Sequence, residues 1–220
     1  MSAFIPPSPS ADDYKDEDQQ TDLSWCEATD PVALFKTWLA SAGETEPNDP
    51  NAMSLATVDE TGLPDVRIVL LKGVSEDGFV FYTNSESAKG RQLTEQPKAA
   101  LCFHWKSVRR QVRVRGTVSP VSADTSDDYF SSRARGSRLS AWASDQSRPV
   151  ADREALLTSL RRAEAQFDGQ DVPRPPHWYG YQITPNRIEF WQNGAFRLHD
   201  RVSFTRSDPS GVWTKVRLYP

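Results

Sequence analysis

Short runs of apolar residues, separated by polar turns, recur along most of the chain and predict strands more often than helices. Residues 67–72, Arg-Ile-Val-Leu-Leu-Lys, place four branched apolar residues between two cations, with Pro64 upstream and Gly73 downstream. A short run that contains β-branched residues and is bounded by turn residues is typical of a buried strand. The two cations either mark where this strand leaves the core or meet an anionic ligand, and the hexapeptide alone leaves both interpretations open.

Nine such runs alternate with five helical segments, which predicts a mainly β fold with peripheral helices, arranged as a closed or nearly closed β-barrel. Asp30 and Pro31 provide the first helix with an N-cap and a first-turn proline, and tight turns between the early strands predict an antiparallel meander. The predicted strands are 52–58, 65–74, 79–83, 99–105, 111–118, 179–184, 187–192, 201–205 and 212–218. The predicted helices are 31–41, 87–95, 125–132, 139–144 and 152–167.

Composition divides the chain into an acidic tail and a folded domain. Residues 1–29 are rich in Pro, Ser, Asp and Gln, which predicts a disordered tail followed by one domain over 30–220. Residues 1–30 contain eight acidic residues and one basic residue, whereas the whole chain has a net charge of −4, so the remainder is mildly basic. This distribution is compatible with small anionic ligands and argues against a nucleic-acid partner, because no dense basic block is present.

The apolar runs and the cysteines indicate where in the cell the protein is located. No apolar run is long enough to span a bilayer, and the first ten residues lack the basic start and apolar core of a secretory signal. The two cysteines, Cys26 and Cys102, form no disulfide framework, which is typical of a protein with reduced thiols. These features predict a cytoplasmic protein with no membrane partner.

Tyr129, Arg133 and Ser137 form a first candidate site, because they follow one another at steps of four. On a single helix all three side chains would lie on one face. A phenol, a guanidinium and a hydroxyl that converge on one point make a good phosphate site. The alternative is an ordinary solvated helix face.

A second candidate site surrounds the start of the predicted helix 87–95. Ser85, Ser87, Lys89 and Arg91 place hydroxyls and cations where helix N–H groups are unpaired, an arrangement that favours a second phosphate. The alternative is a normally capped helix with a basic surface.

A third candidate site follows Asn193 and Gly194, which predict a tight hairpin turn. Arg197 and His199 are two residues apart and would lie on one face of an extended chain, not far from Trp191. A histidine near a turn is often a structural hydrogen-bonding group, but an Arg–His pair beside a tryptophan favours a ligand site. The sequence contains no metal-ligand spacing, nucleophile elbow or GxGxxG motif, so we predict no metal site and no Rossmann domain.

From about residue 30 to residue 220, the chain resembles the pyridoxine (pyridoxamine) 5′-phosphate oxidase family. The matching segments occur in the family's order, which is more specific than any single motif. They are residues 67–72, 81–84, 87–90, 110–112, 129–133 with 137, 141–147, 188–191, 197–201 and 217–220. The resemblance implies an FMN-binding split β-barrel that works as a homodimer through a C-terminal dimerisation segment, with each flavin held between subunits.

The resemblance also implies the reaction, which is oxidation of pyridoxamine 5′-phosphate and pyridoxine 5′-phosphate by O2 to pyridoxal 5′-phosphate with release of H2O2. Arg197 and His199 would lie over the pyridine ring and orient its C4′ against flavin N5. The implied FMN contacts are Arg67, Ile68, Val69, Leu70, Leu71, Lys72, Tyr82, Thr83, Lys89, Gln111, Gln146, Ser147, Trp191 and Arg201. The implied substrate contacts are Lys72, Tyr129, Arg133, Ser137, Arg197, Leu198 and His199.

One departure from the family's pattern leaves alternatives open. Many members have an arginine where this chain has Ala88, so one flavin-phosphate contact is missing, and Lys89 or Arg91 would compensate for it. A first alternative is a phenazine-pathway flavoenzyme on the same barrel, although such relatives tend to lose the lysine found here as Lys72. A second alternative is a non-catalytic carrier of flavin or pyridoxal phosphate.

Overall fold

The computed structural model describes Phe4, Ser10, Asp12 and residues 22–220. The described chain is mainly β with peripheral helices, as predicted. Its strands are β1 (Ala52–Val58), β2 (Pro64–Leu70), β3 (Gly73–Ser75), β4 (Gly78–Asn84), β5 (Lys98–Trp105), β6 (Arg110–Pro120), β7 (Trp178–Gln192), β8 (Asp200–Thr205) and β9 (Thr214–Leu218). Its α-helices are α1 (Pro31–Thr45), α2 (Ala88–Glu95), α3 (Ala123–Ser131), α4 (Arg135–Ala143) and α5 (Arg153–Gln166).

The strands form one sheet in the order β2-β1-β5-β6-β7-β4-β3, with β8 paired to β7 and β9 paired to β8. The pairs β1–β2, β3–β4, β4–β7, β7–β8 and β8–β9 are all antiparallel. The strands β2, β3 and β9 each pair with a single neighbour, so the hydrogen-bonded sheet is not closed. This open order agrees with the split barrel that the family resemblance implied, and of the two arrangements predicted from the strand pattern it excludes the fully closed one.

The predicted acidic tail lies mostly outside the described residues. Within 22–29, a 3-10 helix at Ser24–Glu27 buries Trp25 and Cys26. Packing therefore begins before residue 30, because an indole has enough apolar surface to anchor a short segment.

The chain divides into two compact units. The first unit comprises Met1–Pro50, Cys102–Val114 and Asn186–Pro220, and the second comprises Asn51–Leu101 and Arg115–Pro185. The strands β5, β6 and β7 each contribute residues to both units. Among the described residues, none of the helices has the length and apolar character that crossing a bilayer requires.

The helix α1 begins at the predicted N-cap. The carboxylate of Asp30 accepts hydrogen bonds from the N–H groups of Val32 (2.8 Å) and Ala33 (3.1 Å), which confirms that cap.

The core of the first unit is aromatic. On the buried face of α1, the rings of Trp38 and Phe190 meet edge to face with centroids 5.2 Å apart. Such contacts add to the free energy of burying these rings and fix α1 against β7.

In the second unit, the predicted strand 65–74 is two strands, β2 and β3, with Leu71 and Lys72 between them. The strand β2 is not buried on both faces, because Val66 and Ile68 are each 64% exposed. The prediction of a buried strand was therefore wrong. An apolar run does not distinguish a core strand from an edge strand, and β2 is at one end of the sheet.

The predicted strands 179–184 and 187–192 are one strand, β7. Its first half pairs with β4 and its second half pairs with β8. Pro185 and Asn186 lie between these two registers, so the turn residues do not end the strand.

Candidate active site

A cavity of about 580 Å³ in the second unit gathers side chains from β2, β4, the start of α2, the α3–α4 region and the chain that follows α4. Its lining residues are Arg67, Ile68, Val69, Leu70, Lys72, Tyr82, Thr83, Asn84, Lys89, Tyr129, Arg133, Ala134, Ser137, Gln146 and Trp178. Twelve of these fifteen residues were predicted ligand contacts, and the sequence did not point to Asn84, Ala134 or Trp178. The first candidate phosphate site and Lys89 of the second therefore line one cavity of the size typical for small-molecule ligands, whereas Ser85, Ser87 and Arg91 lie outside its lining.

Arg67 and Lys72 line this cavity together although an odd spacing on a regular strand would separate them. The N–H of Leu71 donates to the carbonyl of Asn51 (2.9 Å), whereas the N–H of Lys72 donates to the carbonyl of Val80 (2.8 Å). The chain thus changes its pairing partner from β1 to β4 between these two residues. Because the strand ends there, the alternation of side chains does not continue across it.

Arg67 is held in place by its neighbours. Its Nη1 donates to the hydroxyl of Thr57 (2.5 Å), and its Nη2 donates to Gln92 Oε1 (3.1 Å) and to the carboxylate of Asp65. Hydrogen bonding from Gln92, together with the charge of Arg67, lowers the pKa of Asp65. Gln92 and Thr57, which the sequence did not single out, therefore orient a predicted cofactor contact.

The start of α2 supplies a second cation to the cavity. Ser87 is the N-cap, since its Oγ accepts a hydrogen bond from the N–H of Gly90 (3.2 Å), and Lys89 Nζ donates to Gln146 Oε1 (2.8 Å). Burial, with a further contribution from the charge of Arg67, lowers the pKa of Lys89. Arg91 instead donates to the carbonyl of Glu86 and does not line the cavity. Of the two residues expected to compensate for Ala88, Lys89 lines the cavity and Arg91 does not.

Tyr129, Arg133 and Ser137 do not share one helix, in agreement with the break predicted between helices 125–132 and 139–144, so the single-helix arrangement suggested by their spacing is not realised. The chain leaves α3 after Ser131 and enters α4 at Arg135, with Arg133 in the break between them. All three side chains nevertheless line the cavity. The turn between the helices therefore brings the three side chains to one cavity without a continuous helix.

The guanidinium of Arg133 provides a test of which ligand fits the cavity. It lies over the rings of Trp178 (4.8 Å to the centroid) and Phe130 (5.6 Å), and burial lowers its pKa. Its Nη1 is buried and has no hydrogen-bond partner among the described residues. A buried guanidinium N–H without an acceptor is costly, and an anionic group such as a phosphate would satisfy it. The cavity therefore fits a phosphorylated ligand.

The other predicted contacts do not line this cavity. Leu71 is buried in the second unit, and Ser147, also in that unit, lies outside the lining set. The remaining six belong to the first unit: Gln111, Trp191, Arg197, Leu198, His199 and Arg201.

The connection between β7 and β8 is not the tight hairpin that Asn193 and Gly194 predicted. It spans residues 193–199 and contains a 3-10 helix at Ala195–Arg197, in which Phe196 (φ 51°) and Arg197 (φ 66°) are left-handed. Arg197 and His199 therefore do not lie on an extended chain. A Cβ added at Gly194 would lie 2.2 Å from the carbonyl oxygen of Leu198. The longer loop therefore still needs a glycine at this position.

His199 is fixed by this loop. Its Nδ1 accepts a hydrogen bond from the N–H of Gly194 (3.2 Å), and its ring lies 4.6 Å from that of Trp191. Burial, followed by the charges of Arg197 and Arg201, lowers the pKa of His199 below its ordinary 6.5. At neutral pH the imidazole is therefore uncharged, with its proton on Nε2, where it can act as a hydrogen-bond donor.

We expect the His199 resonance to titrate with a midpoint below pH 6.5, and the midpoint to rise in Arg197→Gln because one of the two nearby positive charges is removed. The measurement is a pH titration of imidazole signals by NMR, with the resonance assigned by its loss in His199→Gln. Since the folded-state pKa is depressed, the stabilising contribution of neutral His199 is present above pH 6.5 and is lost as the pH falls through the folded value. A wild-type midpoint at or above 6.5 would contradict this assignment.

Glu189, which we did not predict as a site residue, organises the charges of the first unit. It is 2% exposed and accepts hydrogen bonds from Arg113 Nη2 (2.5 Å), Arg187 Nη2 (3.0 Å) and Arg201 Nη2 (2.7 Å). Burial alone would raise the pKa of Glu189, but hydrogen bonds from Arg201 and Arg113 outweigh burial and lower it. Arg201 also donates from Nη1 to the carbonyl of Tyr219 (2.7 Å), so the same residue fixes the end of the chain.

Comparison with known proteins identifies one family. The family model described as pyridoxamine 5′-phosphate oxidase matches residues 40–167, and the model described as the pyridoxine 5′-phosphate oxidase C-terminal dimerisation region matches residues 178–220. The pyridoxine/pyridoxamine 5′-phosphate oxidase of Hyphomonas neptunium is 58% identical over 100% of this chain and 99% of its own length. That of Maricaulis maris is 57% identical over 99% of this chain and 98% of its own length.

Solved structures with a similar fold include PhzG from Burkholderia lata in complex with tetrahydrophenazine-1-carboxylic acid. It superposes with a TM-score of 0.84 at 30% identity and covers 93% of this chain and 100% of its own. A pyridoxamine 5′-phosphate oxidase-related, FMN-binding protein from Nostoc punctiforme shares the fold with a TM-score of 0.69 at 19% identity, over 88% of this chain and 100% of its own. With two family models that together cover most of the sequence, and relatives more than half identical along its length, the chain belongs to the pyridoxamine 5′-phosphate oxidase family.

Proposed function

We propose that the protein is an FMN-dependent oxidase that converts pyridoxamine 5′-phosphate and pyridoxine 5′-phosphate to pyridoxal 5′-phosphate, with O2 as the electron acceptor and H2O2 as the second product. The observation that carries this proposal is the buried Nη1 of Arg133, which lacks an acceptor in a cavity that also contains Lys72, Tyr129 and Ser137. The names of the relatives described above support the same activity.

Two sets of donors in the cavity correspond to the two phosphorylated molecules of this reaction. Arg67, Lys89 and Gln146 would hold FMN together with Tyr82 and Thr83. FMN supplies a two-electron acceptor that the protein itself lacks and that O2 can reoxidise. The protein contributes position and charge, because Gln92 and Thr57 hold Arg67 and Ser87 caps the helix that carries Lys89.

The substrate phosphate would be held by the second set of donors. Arg133 and Lys72 provide positive charge, while the hydroxyls of Tyr129 and Ser137 provide neutral hydrogen bonds. Each charge-assisted hydrogen bond contributes roughly 1.5–3 kcal/mol in a site shielded from water. This affinity for a non-reacting group orients the C4′ end of the vitamer for oxidation.

We also propose that the protein is a homodimer in which residues of the 178–220 region of one subunit, including Arg197 and His199, complete the cavity of the other. The description of the C-terminal family model as a dimerisation region supports this. So does the exposed apolar face of β2, where Val66 and Ile68 are each 64% exposed beside the cavity. In this arrangement neutral His199 and cationic Arg197 act on the pyridine ring as hydrogen-bond donor and positive charge. Sedimentation equilibrium at micromolar concentration would reveal a monomer if the proposal is wrong.

The thiols of Cys26 and Cys102 are free, which supports the cytoplasmic location that we proposed from the sequence. Fractionation of the source cells, followed by detection of the protein with an antibody, tests it.

Turnover of the purified protein tests the proposed reaction. FMN and pyridoxamine 5′-phosphate in air should give pyridoxal 5′-phosphate and H2O2 in equal amounts, and anaerobic addition of the substrate should bleach the flavin absorbance. Lys72→Met should lose most of this turnover because one of the two phosphate cations is removed. Bound flavin that the substrate does not bleach would refute the oxidase and leave a non-catalytic carrier.

The fold similarity to PhzG calls for one further comparison in the same assay. Tetrahydrophenazine-1-carboxylic acid carries a carboxylate instead of a phosphate, so it offers the Lys72 and Arg133 donors a smaller anion with fewer acceptor oxygens and less charge. We expect the vitamer to bleach the flavin at least tenfold faster than this compound. The reverse order of rates would favour the phenazine alternative.

A further inference from the structure

Trp178 lies at the start of β7 and lines the cavity, yet no motif predicted a role for it. Its side chain is buried, with 7% exposure. It also lines a smaller cavity of about 240 Å³, which shares Asn84, Arg133, Ser137 and Gln146 with the first. A rigid ring between two cavities can fix the groups that face it.

The ring of Trp178 contacts three predicted ligand groups. The guanidinium of Arg133 lies over it, 4.8 Å from a ring centroid. The ring of Tyr82 stacks with it at 5.2 Å and 13°, and the ring of Tyr129 lies nearly parallel to it at 6.1 Å and 10°. Tyr82 and Tyr129 also stack on each other at 4.0 Å. Predicted contacts of both ligands are therefore arranged around one indole.

The surrounding structure holds Trp178 firmly. The backbone N–H of Trp178 donates to the carbonyl of Pro175 (3.0 Å), and its backbone carbonyl accepts a hydrogen bond from Arg174 Nη1 (2.9 Å). It pairs with Asn84 at the end of the β4–β7 register, and the ring of Phe130 packs edge-on against it at 5.1 Å. Backbone and side chain are thus both fixed before any ligand binds.

Arg133 depends on these rings for its position. Its Nη1 has no hydrogen-bond partner among the described residues, and its guanidinium lies against the faces of Trp178 and Phe130. The face of an indole attracts a cation more strongly than that of a phenyl ring. Of the two rings, Trp178 is also the closer and lines the cavity.

We propose that Trp178 is a positioning residue for the substrate phosphate, because its ring holds the guanidinium of Arg133 so that Nη1 meets the phosphate. The inference rests on the proposed function and deepens it, since it assigns the orientation of the phosphate-binding group to a residue that touches no reacting atom. Removing the indole leaves the charge of Arg133 in place but lets the guanidinium rotate away from the ligand.

The test measures binding of two inert probes to the FMN-loaded protein, 4-deoxypyridoxine 5′-phosphate and 4-deoxypyridoxine, which cannot be oxidised at C4′. Trp178→Leu should bind the phosphorylated probe about tenfold more weakly than wild type, which corresponds to about 1.4 kcal/mol. Trp178→Phe keeps a smaller aromatic face and should lose about threefold. Neither variant should change affinity for the unphosphorylated probe by more than twofold.

A double-mutant cycle with Arg133→Met separates positioning from general support of the fold. If Trp178 acts through Arg133, then Trp178→Leu or Trp178→Phe should cost no further affinity once Arg133 is methionine. Equal losses for both probes, or full losses in the Arg133→Met background, would overturn the inference. Should Trp178→Leu not fold, Trp178→Phe alone completes the cycle.

Failure of this inference differs from failure of the proposed function. A wild-type protein that does not prefer the phosphorylated probe would refute the phosphate site, and the positioning role with it. A wild-type protein that prefers that probe and oxidises the vitamer, while Trp178→Leu binds it as tightly as wild type, would overturn the role of Trp178 alone.

Discussion

Replacing Arg133 with methionine should lower kcat/KM for pyridoxamine 5′-phosphate by about 100-fold while FMN affinity changes by less than threefold. The buried Nη1 of the Arg133 guanidinium has no hydrogen-bond partner among the described residues. We therefore expect the substrate phosphate to accept the hydrogen bond from this N–H group. Loss of two charge-assisted hydrogen bonds of about 1.5 kcal/mol each gives an effect of this size. Steady-state kinetics with the substrate and a fluorescence titration with FMN measure the two quantities.

Two variants control for charge and for loss of an arginine in general. Arg133→Lys keeps the charge but loses the planar fork, so we expect about a tenfold loss in kcat/KM. Arg161→Met removes an exposed arginine that pairs with Glu154 on α5 and should leave kcat/KM unchanged within twofold. If Arg133→Met and Arg161→Met had the same kinetics, the phosphate would bind elsewhere.

The sequence predicted the members of this cavity better than the reasons for their proximity. Tyr129, Arg133 and Ser137 meet because a turn separates α3 from α4, not because one helix aligns them. Arg67 and Lys72 meet because a strand ends between them. The spacing of Tyr129, Arg133 and Ser137 indicated a shared ligand, and the family resemblance implied one for Arg67 and Lys72. The local backbone depended in both cases on tertiary contacts that neither kind of reasoning contains.

The residues that the sequence did not single out act through side chains distant in the chain. Gln92 holds Arg67 from a different element, and Trp178 faces Arg133 across a separation of 45 positions. Neither has a chemical type that suggests a ligand role, since amides and indoles are common in cores. Such positioning residues become visible once the distances are known.

The sequence also did not predict whether a strand lies at the edge or in the core of the sheet. The apolar run at residues 67–72 predicted a buried strand, yet Ile68 is exposed in the described chain. Hydrophobicity indicates that a surface prefers to be covered, but it does not say whether the same chain or a second copy covers it. The family resemblance, with its implied dimer, already offered the second possibility for β2.

Replacing Glu189 with glutamine should lower the free energy of unfolding by about 3 kcal/mol at pH 7, because three guanidiniums would then face a neutral amide in a buried place. Arg113 and Arg187 have side chains 47% and 35% exposed, so water partly screens their charges and keeps the loss near the lower end of the range for broken buried pairs. Urea unfolding at constant protein concentration measures it. Glu154→Gln, which removes an exposed partner of Arg161, should change stability by less than about 0.5 kcal/mol.

The pH dependence of this loss distinguishes a charge effect from a packing effect. The folded-state pKa of Glu189 is lowered from its ordinary 4.5, so its stabilising contribution is present above pH 4.5 and is lost as the pH falls through the folded value. The difference between wild type and Glu189→Gln should therefore shrink below pH 4.5. Because the glutamine is uncharged and keeps one acceptor oxygen for three guanidiniums, Arg201 would be held less firmly, and FMN affinity should fall in the same variant. A stability difference that is constant from pH 7 to pH 3.5, with unchanged FMN affinity, would mean that Glu189 only fills space and does not position Arg201 for the cofactor.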